Sequence, residues 1–229
     1  MIRDHARFHG ATLQDTAWAA VLFDLDGTLA DTVGLILSCY RHTMRTHLGE
    51  APPDEEWILG MGRPLRVQLG AFARSPEEVD AMVQTYVALQ RQLHDEMVHA
   101  YAGIPELLAA LETAGVPRAL VTSRRIEMTR RTLAHCGFTR HFEVIVTPDE
   151  VTHPKPDPEP VLLALERLGS PPAERALFVG DSPHDIEAGR AAGVRTVAAL
   201  WGPFPRETVL AAAPDYAIDA PLELLELRP

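Results

Sequence analysis

Two aspartates, Asp24 and Asp26, follow directly on an apolar run of the chain and are separated by a single residue. If that run is a β-strand, the alternation of side chains points both carboxylates to the same side. Ionised groups at a strand end must be paired or must hold a metal ion. The pattern therefore predicts a site for Mg²⁺, in which one carboxylate attacks a phosphorus atom and the other moves a proton. The alternative is an acidic loop that caps the next helix.

Lys155 is the sole lysine of the 229-residue chain, since the rest of its 21 Lys and Arg residues are arginines. It lies between Pro154 and Pro156, which stiffen the backbone around it. A compact ammonium on a flexible stem is not interchangeable with a planar guanidinium. We interpret Lys155 as a position that arginine cannot fill. The alternative is the chance survival of one lysine in an arginine-rich chain.

Hydroxyl and carboxylate side chains also follow two further apolar runs. Thr122 and Ser123 come after one of them, and Asp181 and Asp185 come after the other. In an open α/β sheet, the carboxyl ends of the strands converge on one crevice. We therefore expect these residues to lie beside the first two aspartates and the lysine.

Together, these four motifs resemble the signature motifs of the haloacid dehalogenase superfamily of phosphohydrolases, in the order that this family uses. The resemblance covers residues 19–229. It implies that Asp24 is the nucleophile, and that Asp26 first protonates the leaving oxygen and then deprotonates the attacking water. Lys155 would offset the charge of Asp24 and phosphate, and Thr122 would hold the phosphoryl oxygens. The implied Mg²⁺ ligands are Asp24, the backbone carbonyl of Asp26, Asp181 and, as a ligand or orienting group, Asp185.

Four residues are predicted to contact the substrate, namely Thr28, Ser123, Arg124 and Arg63. Arg124 lies at a predicted helix start, where the helix dipole disfavours a cation. This unfavourable position suggests that Arg124 is needed there to bind the substrate. Arg63 lies in a Gly-Arg-Pro turn, within a helical stretch that would reach the crevice as a lid. The alternatives are a solvated surface arginine for Arg124 and a purely structural turn for Arg63.

The elements that must position these residues alternate along most of the chain. From residue 101 onward, predicted helices and strands follow one another and a glycine ends each helix, which indicates α/β architecture with a doubly wound parallel sheet. Between residues 32 and 99 the apolar spacing is helical throughout. We predict an N-terminal extension (1–17), a Rossmann-like core domain (18–31 and 100–229) and an all-helical cap domain (32–99) inserted after the first strand. In the family that the chain resembles, a cap at this place closes over the active site.

Charge and cysteine content limit the partners and the compartment. The formal net charge of −11 argues against nucleic acid or an anionic membrane as a partner, and no apolar run is long enough to span a bilayer. Residues 1–17 lack the apolar stretch of a secretory signal. Cys39 and Cys136 fall within helical patterns and are interpreted as unpaired, which fits a cytoplasmic protein. A monomer or a homodimer is expected.

The leading interpretation is a Mg²⁺-dependent phosphatase that hydrolyses a small phosphorylated metabolite or pyrophosphate through an aspartyl-phosphate. The alternative is a sugar-phosphate mutase on the same scaffold. A mutase must keep water away from its phospho-enzyme, and the sequence does not show whether this chain does so. The loop around Lys155 is most similar to the branch of the family that holds bacterial inorganic pyrophosphatases and phosphoglycolate phosphatases. Pyrophosphate and phosphoglycolate each carry a second anionic group besides the phosphoryl group that is transferred, and Arg124 or Arg63 would bind it. Pyrophosphate is the favoured one of the two.

Overall fold

The computed structural model describes residues 18–229, so the extension predicted for residues 1–17 lies outside the described residues. The strands are β1 (Ala20–Phe23), β2 (Ala30–Asp31), β3 (His99–Ala100), β4 (Arg118–Val121), β5 (Val144–Val146), β6 (Ala176–Gly180), β7 (Arg195–Ala199) and β8 (Tyr216–Ile218). The helices are α1 (Val33–Leu48), α2 (Asp54–Ile58), α3 (Leu65–Gly70), α4 (Pro76–Met97), α5 (Ile104–Thr113), α6 (Ile126–His135), α7 (Glu159–Arg167), α8 (Pro183–Ala191) and α9 (Arg206–Ala211).

Strand β1 lies inside a six-stranded sheet whose order is β5-β4-β1-β6-β7-β8. Every neighbouring pair in this sheet is parallel. All four residues of β1 are buried, as expected when helices cover both faces of a parallel sheet. The predicted fold class, a doubly wound α/β core with a helical insertion after the first strand, is confirmed.

The chain leaves this core after β1 and forms helices α1 to α4 before it returns at α5. A short antiparallel pair, β2 with β3, joins the outgoing and returning segments. Within the insertion, the Trp57 ring stacks on Tyr40 with 4.6 Å between ring centroids and lies 6.0 Å from the ring of Tyr86. This aromatic cluster gives the insertion apolar packing of its own. The exact limits of the cap domain, 32–99, stay a prediction.

Polar contacts between α4 and α6 attach the insertion to the core. His94 Nε2 lies 2.8 Å from Thr132 Oγ1, and both side chains are buried. Nearer the middle of α4, Arg91 forms an exposed ion pair with Glu127 at the start of α6. The two helices are therefore held together along one side of the space that separates the insertion from the sheet.

Two elements near the C-terminus, α9 and β8, are absent from the sequence-based prediction. Strand β8 extends the sheet beside β7, with Ile218 opposite Ala199. It has only three residues, and so short a run cannot be told from a loop by its periodicity. Among residues 18–229, no helix is both long enough and apolar enough to cross a membrane.

Candidate active site

Asp24, Lys155, Asp181 and Asp185 come together at the carboxyl edge of the sheet. Asp24 follows β1, Asp181 follows the neighbouring strand β6, and Lys155 lies on the loop after β5. The Lys155 ammonium donates to Asp24 Oδ1 at 2.8 Å and to Asp185 Oδ1 at 2.6 Å. None of the four residues is more than 4% exposed. The cluster is therefore a group of ionisable side chains withdrawn from water.

Burial sets the ionisation of this cluster. It raises the pKa of Asp24 to about 7, because the desolvation of the carboxylate outweighs the attraction of the Lys155 ammonium. Burial and the neighbouring carboxylates of Asp185 and Asp24 also raise the pKa of Asp181. Desolvation opposes the charge of Lys155, but the same two carboxylates outweigh it and raise the pKa of the ammonium. One lysine is too little positive charge for three buried carboxylates.

The donor set at this point suits a hard divalent cation. Asp24, Asp181 and Asp185 each offer an oxygen atom, and these atoms lie within 4.8 Å of one another. Carboxylate oxygens are the ligands that Mg²⁺ prefers, and its charge would offset the excess of anions. The backbone at Gly27 allows this approach, because a Cβ there would lie 2.5 Å from Asp181 Oδ2 and its φ is +82°. The residues present therefore fit the metal that the motifs predict.

The side chain of Asp26 lies outside this cluster and is held by the side chains of two residues. Arg124 binds both oxygens, with Nε 2.9 Å from Oδ2 and Nη2 2.5 Å from Oδ1. Thr32 Oγ1 donates to Oδ1 at 2.7 Å. Motif reasoning misses Thr32, since its place before α1 suggests only a helix cap, yet its hydroxyl makes no cap hydrogen bond. A metal contact through the backbone carbonyl of Asp26 stays a prediction.

Two residues predicted to contact the substrate form hydrogen bonds with protein carboxylates. Arg124 uses Nε and Nη2 on Asp26, while its Nη1 is buried without a hydrogen-bond partner. Thr28 is fully buried and donates to Asp181 Oδ1 at 2.9 Å. The structure therefore places both side chains where they orient a carboxylate. The substrate contacts predicted for Arg124 and Thr28 stay predictions.

The two hydroxyls that follow β4 point to different partners. Thr122 is 4% exposed, and its Oγ1 accepts a hydrogen bond from the backbone N–H of Arg124 at 3.1 Å. Ser123 Oγ donates to the backbone carbonyl of Gly62 in the insertion. Ser123 therefore links the core to the insertion, and the predicted contacts of both residues with phosphate and substrate stay predictions.

Asp185 has two functions in the described structure. Its Oδ2 accepts from the backbone N–H of Ser182 at 3.1 Å, and its own backbone N–H donates to Ser182 Oγ at 3.3 Å, which together form a capping box at the start of α8. The same Oδ2 also accepts from the Ser182 hydroxyl at 2.6 Å. Its Oδ1 accepts from Lys155. The helix cap therefore fixes the carboxylate that orients the lysine.

A cavity of about 850 Å³ lies between the insertion and the core. Asp24 and Asp26 line it from the core, and Arg63 lines it from the insertion. The turn before Arg63 approaches the core so closely that a Cβ on Gly62 would lie 2.8 Å from Ser182 Oγ. The structure thus brings Arg63 to the site, while its contact with a substrate stays a prediction.

The sequence matches the family model described as haloacid dehalogenase-like hydrolase over residues 21–199, well over half of the chain. The chain belongs to the haloacid dehalogenase-like hydrolase family. It is 38% identical over 215 residues to the pyrophosphatase PpaX of Bacillus velezensis, with 94% of this chain and 98% of that protein covered. It is 37% identical over 213 residues to the N-acetylmuramic acid 6-phosphate phosphatase of Pseudomonas aeruginosa, with 91% of this chain and 93% of that protein covered.

The fold of this haloacid dehalogenase-like hydrolase also agrees with solved structures. A haloacid dehalogenase-like family hydrolase from Streptococcus pneumoniae matches it with a TM-score of 0.79 at 26% identity, over 91% of this chain and 97% of that one. The family predicted from the four motifs is confirmed. The chain is therefore a hydrolase with relatives named as a pyrophosphatase and a phosphatase.

The pair of Arg124 with Asp26 gives a testable prediction about this hydrolase. Replacing Arg124 with methionine should lower kcat on every substrate by a similar factor, on the order of 10²-fold, because the carboxylate of Asp26 loses the partner that orients it. Steady-state kinetics on two substrates of different charge check this expectation. Arg140→Met is the matched control, since Arg140 lies on the core surface and is 73% exposed. A loss confined to the substrate with a second anion would instead assign Arg124 to substrate binding.

Proposed function

We propose that the chain is a Mg²⁺-dependent phosphatase that acts on a small phosphorylated molecule through an aspartyl-phosphate on Asp24. One observation carries the proposal, namely the contact of the Lys155 ammonium with the buried carboxylates of Asp24 and Asp185. Asp181 lies in the same group of carboxylates. A buried excess of carboxylates costs stability, which supports a catalytic role over a structural one.

The first step would transfer the phosphoryl group to the protein. An Asp24 oxygen forms a bond to phosphorus while the bond from phosphorus to the leaving oxygen breaks, and Asp26 gives its proton to that oxygen. Lys155 holds Asp24 in place and offsets negative charge on the transferred group. When bound, Mg²⁺ would supply positive charge to the phosphoryl oxygens, with Asp24, Asp181 and Asp185 as the residues that hold it.

The second step would regenerate the nucleophile. Asp26, now ionised, takes a proton from water as the water oxygen attacks phosphorus, and the bond to Asp24 breaks to release phosphate. Arg124 and Thr32 keep the Asp26 carboxylate in one orientation through both proton transfers. A carboxylate that acts first as an acid and then as a base needs such fixed support.

Pyrophosphate and phosphoglycolate are the substrates that the sequence motifs favour. The name of the Bacillus velezensis relative supports pyrophosphate, while the Pseudomonas aeruginosa relative is named for a sugar phosphate. The alternative phosphotransferase activity is distinguished by its product. A mutase interconverts sugar-phosphate isomers and releases little inorganic phosphate, whereas a phosphatase releases phosphate from each turnover.

Removal of the metal should abolish phosphate release. Treatment with EDTA is expected to reduce the rate to background, and Mg²⁺ in excess should restore it, because Asp24, Asp181 and Asp185 then regain their cation. Ca²⁺ should fail to restore activity, since its looser coordination misplaces the nucleophile. Released phosphate is measured in each case. Full activity in the chelated enzyme would remove the metal from the mechanism.

A further inference from the structure

The cavity above Asp24 is large for pyrophosphate or phosphoglycolate. Its volume is about 850 Å³. Pockets of about 300–1,000 Å³ are the size that encloses most of a drug-sized organic ligand. Pyrophosphate consists of two phosphoryl groups that share one oxygen, and phosphoglycolate adds only two carbons to a phosphate. Either would occupy a small part of this space.

Much of the cavity wall is apolar, on the side of the insertion as well as near the core. The apolar side chains that line it include Ile36, Met61, Leu65, Val83, Val87 and Met128. Val83 and Val87 lie one turn apart on α4 and are both partly exposed. Displacing water from such side chains favours binding in proportion to the apolar area covered. Pyrophosphate has no apolar surface and gains nothing from this wall.

The cavity also contains one arginine whose charge has no acidic partner. Within residues 18–229, the arginines on its wall other than Arg63 form ion pairs, which are Arg66 with Asp80, Arg91 with Glu127, Arg124 with Asp26, and Arg125 with Asp149. In the described part of the chain, Arg63 belongs to none of the ion pairs. Its guanidinium is suited to bind a carboxylate with two parallel hydrogen bonds. The wall therefore combines an apolar surface with one available cation.

We infer that the substrate is a phosphate monoester of an alcohol that carries both an apolar surface and a carboxylate. The apolar part packs against Val83 and Val87, and the carboxylate pairs with Arg63, while the phosphoryl group lies at Asp24. The inference rests on the proposed phosphatase activity, and it extends that proposal by defining the leaving group. It also favours an organic leaving group over the second phosphoryl group of pyrophosphate.

Four alkyl phosphates test the two features separately. Ethyl phosphate has neither feature, phosphoglycolate has the carboxylate, benzyl phosphate has the apolar group, and 4-carboxybenzyl phosphate has both. We expect kcat/KM to rise by about tenfold for each feature. The compound with both should therefore be the best substrate of the four and should exceed pyrophosphate. Phosphate release by the full-length enzyme with Mg²⁺ provides the measurement.

Two variants assign the features to residues. Arg63→Met should reduce kcat/KM for phosphoglycolate and 4-carboxybenzyl phosphate to the values for ethyl phosphate and benzyl phosphate, which lack the carboxylate. It should leave the ratio of benzyl to ethyl phosphate unchanged. Arg74→Met is the matched control, because Arg74 lies on the outer surface of the insertion and is 72% exposed. Replacing Val83 and Val87 together with threonine keeps their size. This double variant should reduce the advantage of the benzyl compounds by several-fold and spare ethyl phosphate.

The outcomes separate this inference from the activity on which it rests. No phosphate release from any of the five compounds would contradict the proposed phosphatase. Release with pyrophosphate or phosphoglycolate as the best substrate would retain the phosphatase and overturn the inference. A preference for 4-carboxybenzyl phosphate that survives both the Arg63 and the valine variants would also overturn it, because these side chains would then play no part in selection.

Discussion

Replacing Asp24 with asparagine should reduce turnover by at least about 10⁴-fold, because the amide cannot form the covalent intermediate. The substitution removes the nucleophile and an oxygen ligand with almost no change in volume. Lys155 keeps its contact with Asp185 at 2.6 Å, so the ammonium is not left without a partner. Phosphate release measures the loss, and the mass of acid-quenched protein shows the phosphoryl adduct in the wild type and its absence in the variant.

The stability of the Asp24→Asn protein separates a catalytic effect from a folding defect. Burial raises the pKa of Asp24 to about 7, above its ordinary value of 3.8, so the ionised carboxylate costs stability once the pH exceeds that ordinary value. Asparagine removes this cost, and we expect the melting temperature in EDTA to be unchanged or raised. Asp219→Asn is the matched control, because Asp219 is 65% exposed at the surface. Substantial activity of folded Asp24→Asn protein would exclude Asp24 as the nucleophile.

The core of the fold was predictable because local signals and hydrophobic pattern agree along it. The predicted alternation of helices and strands from residue 101 onward matches the observed order from α5 to β7. Glycines at the helix ends contribute most to this accuracy. Gly193, for example, has φ +79° after α8, a conformation that other residues rarely adopt.

The partners of the site residues were harder to predict, because they depend on contacts between distant segments. Arg124 lies 98 residues from Asp26 in the sequence, and Ser123 lies 61 residues from Gly62. A motif indicates which residue type is needed at a position, but it does not indicate which side chain from a distant segment forms a hydrogen bond with that residue. The structure pairs the Arg124 guanidinium with the carboxylate of Asp26, a contact that no motif indicates.

The presence of a single lysine, by contrast, has a direct explanation in the site. An ammonium has three protons, and the structure gives Lys155 three acceptors: Asp24 Oδ1 at 2.8 Å, Asp185 Oδ1 at 2.6 Å and the carbonyl of Val121 at 3.3 Å. The side chain is 1% exposed, so no water is available to complete a different arrangement. A planar guanidinium is larger and has five N–H groups to satisfy.

Lys155→Arg should therefore lose nearly as much activity as Lys155→Ala, with both rates reduced by about 10²–10³-fold. Extra atoms in a packed site cost about 1–3 kcal/mol, and the buried N–H groups without acceptors add to this loss. Steady-state kinetics and thermal melts of both variants test the expectation. Arg206→Lys is the control, an exchange of arginine for lysine at the surface that should leave activity and melting temperature unchanged. Arg206 is 56% exposed, and its ion pair with Asp219 contributes little to the stability of the fold.

Chemical rescue of Lys155→Ala shows whether the site requires the compact shape of an ammonium or only a positive charge. Added methylammonium should restore part of the activity of Lys155→Ala, because it supplies a compact cation with three protons at the place of the missing side chain. Guanidinium at the same concentration should restore much less, since its plane cannot meet three acceptors arranged around one nitrogen. Equal rescue by both cations, or wild-type kinetics in Lys155→Arg, would show that the site needs only a positive charge. The scarcity of lysine in the chain would then have no catalytic meaning.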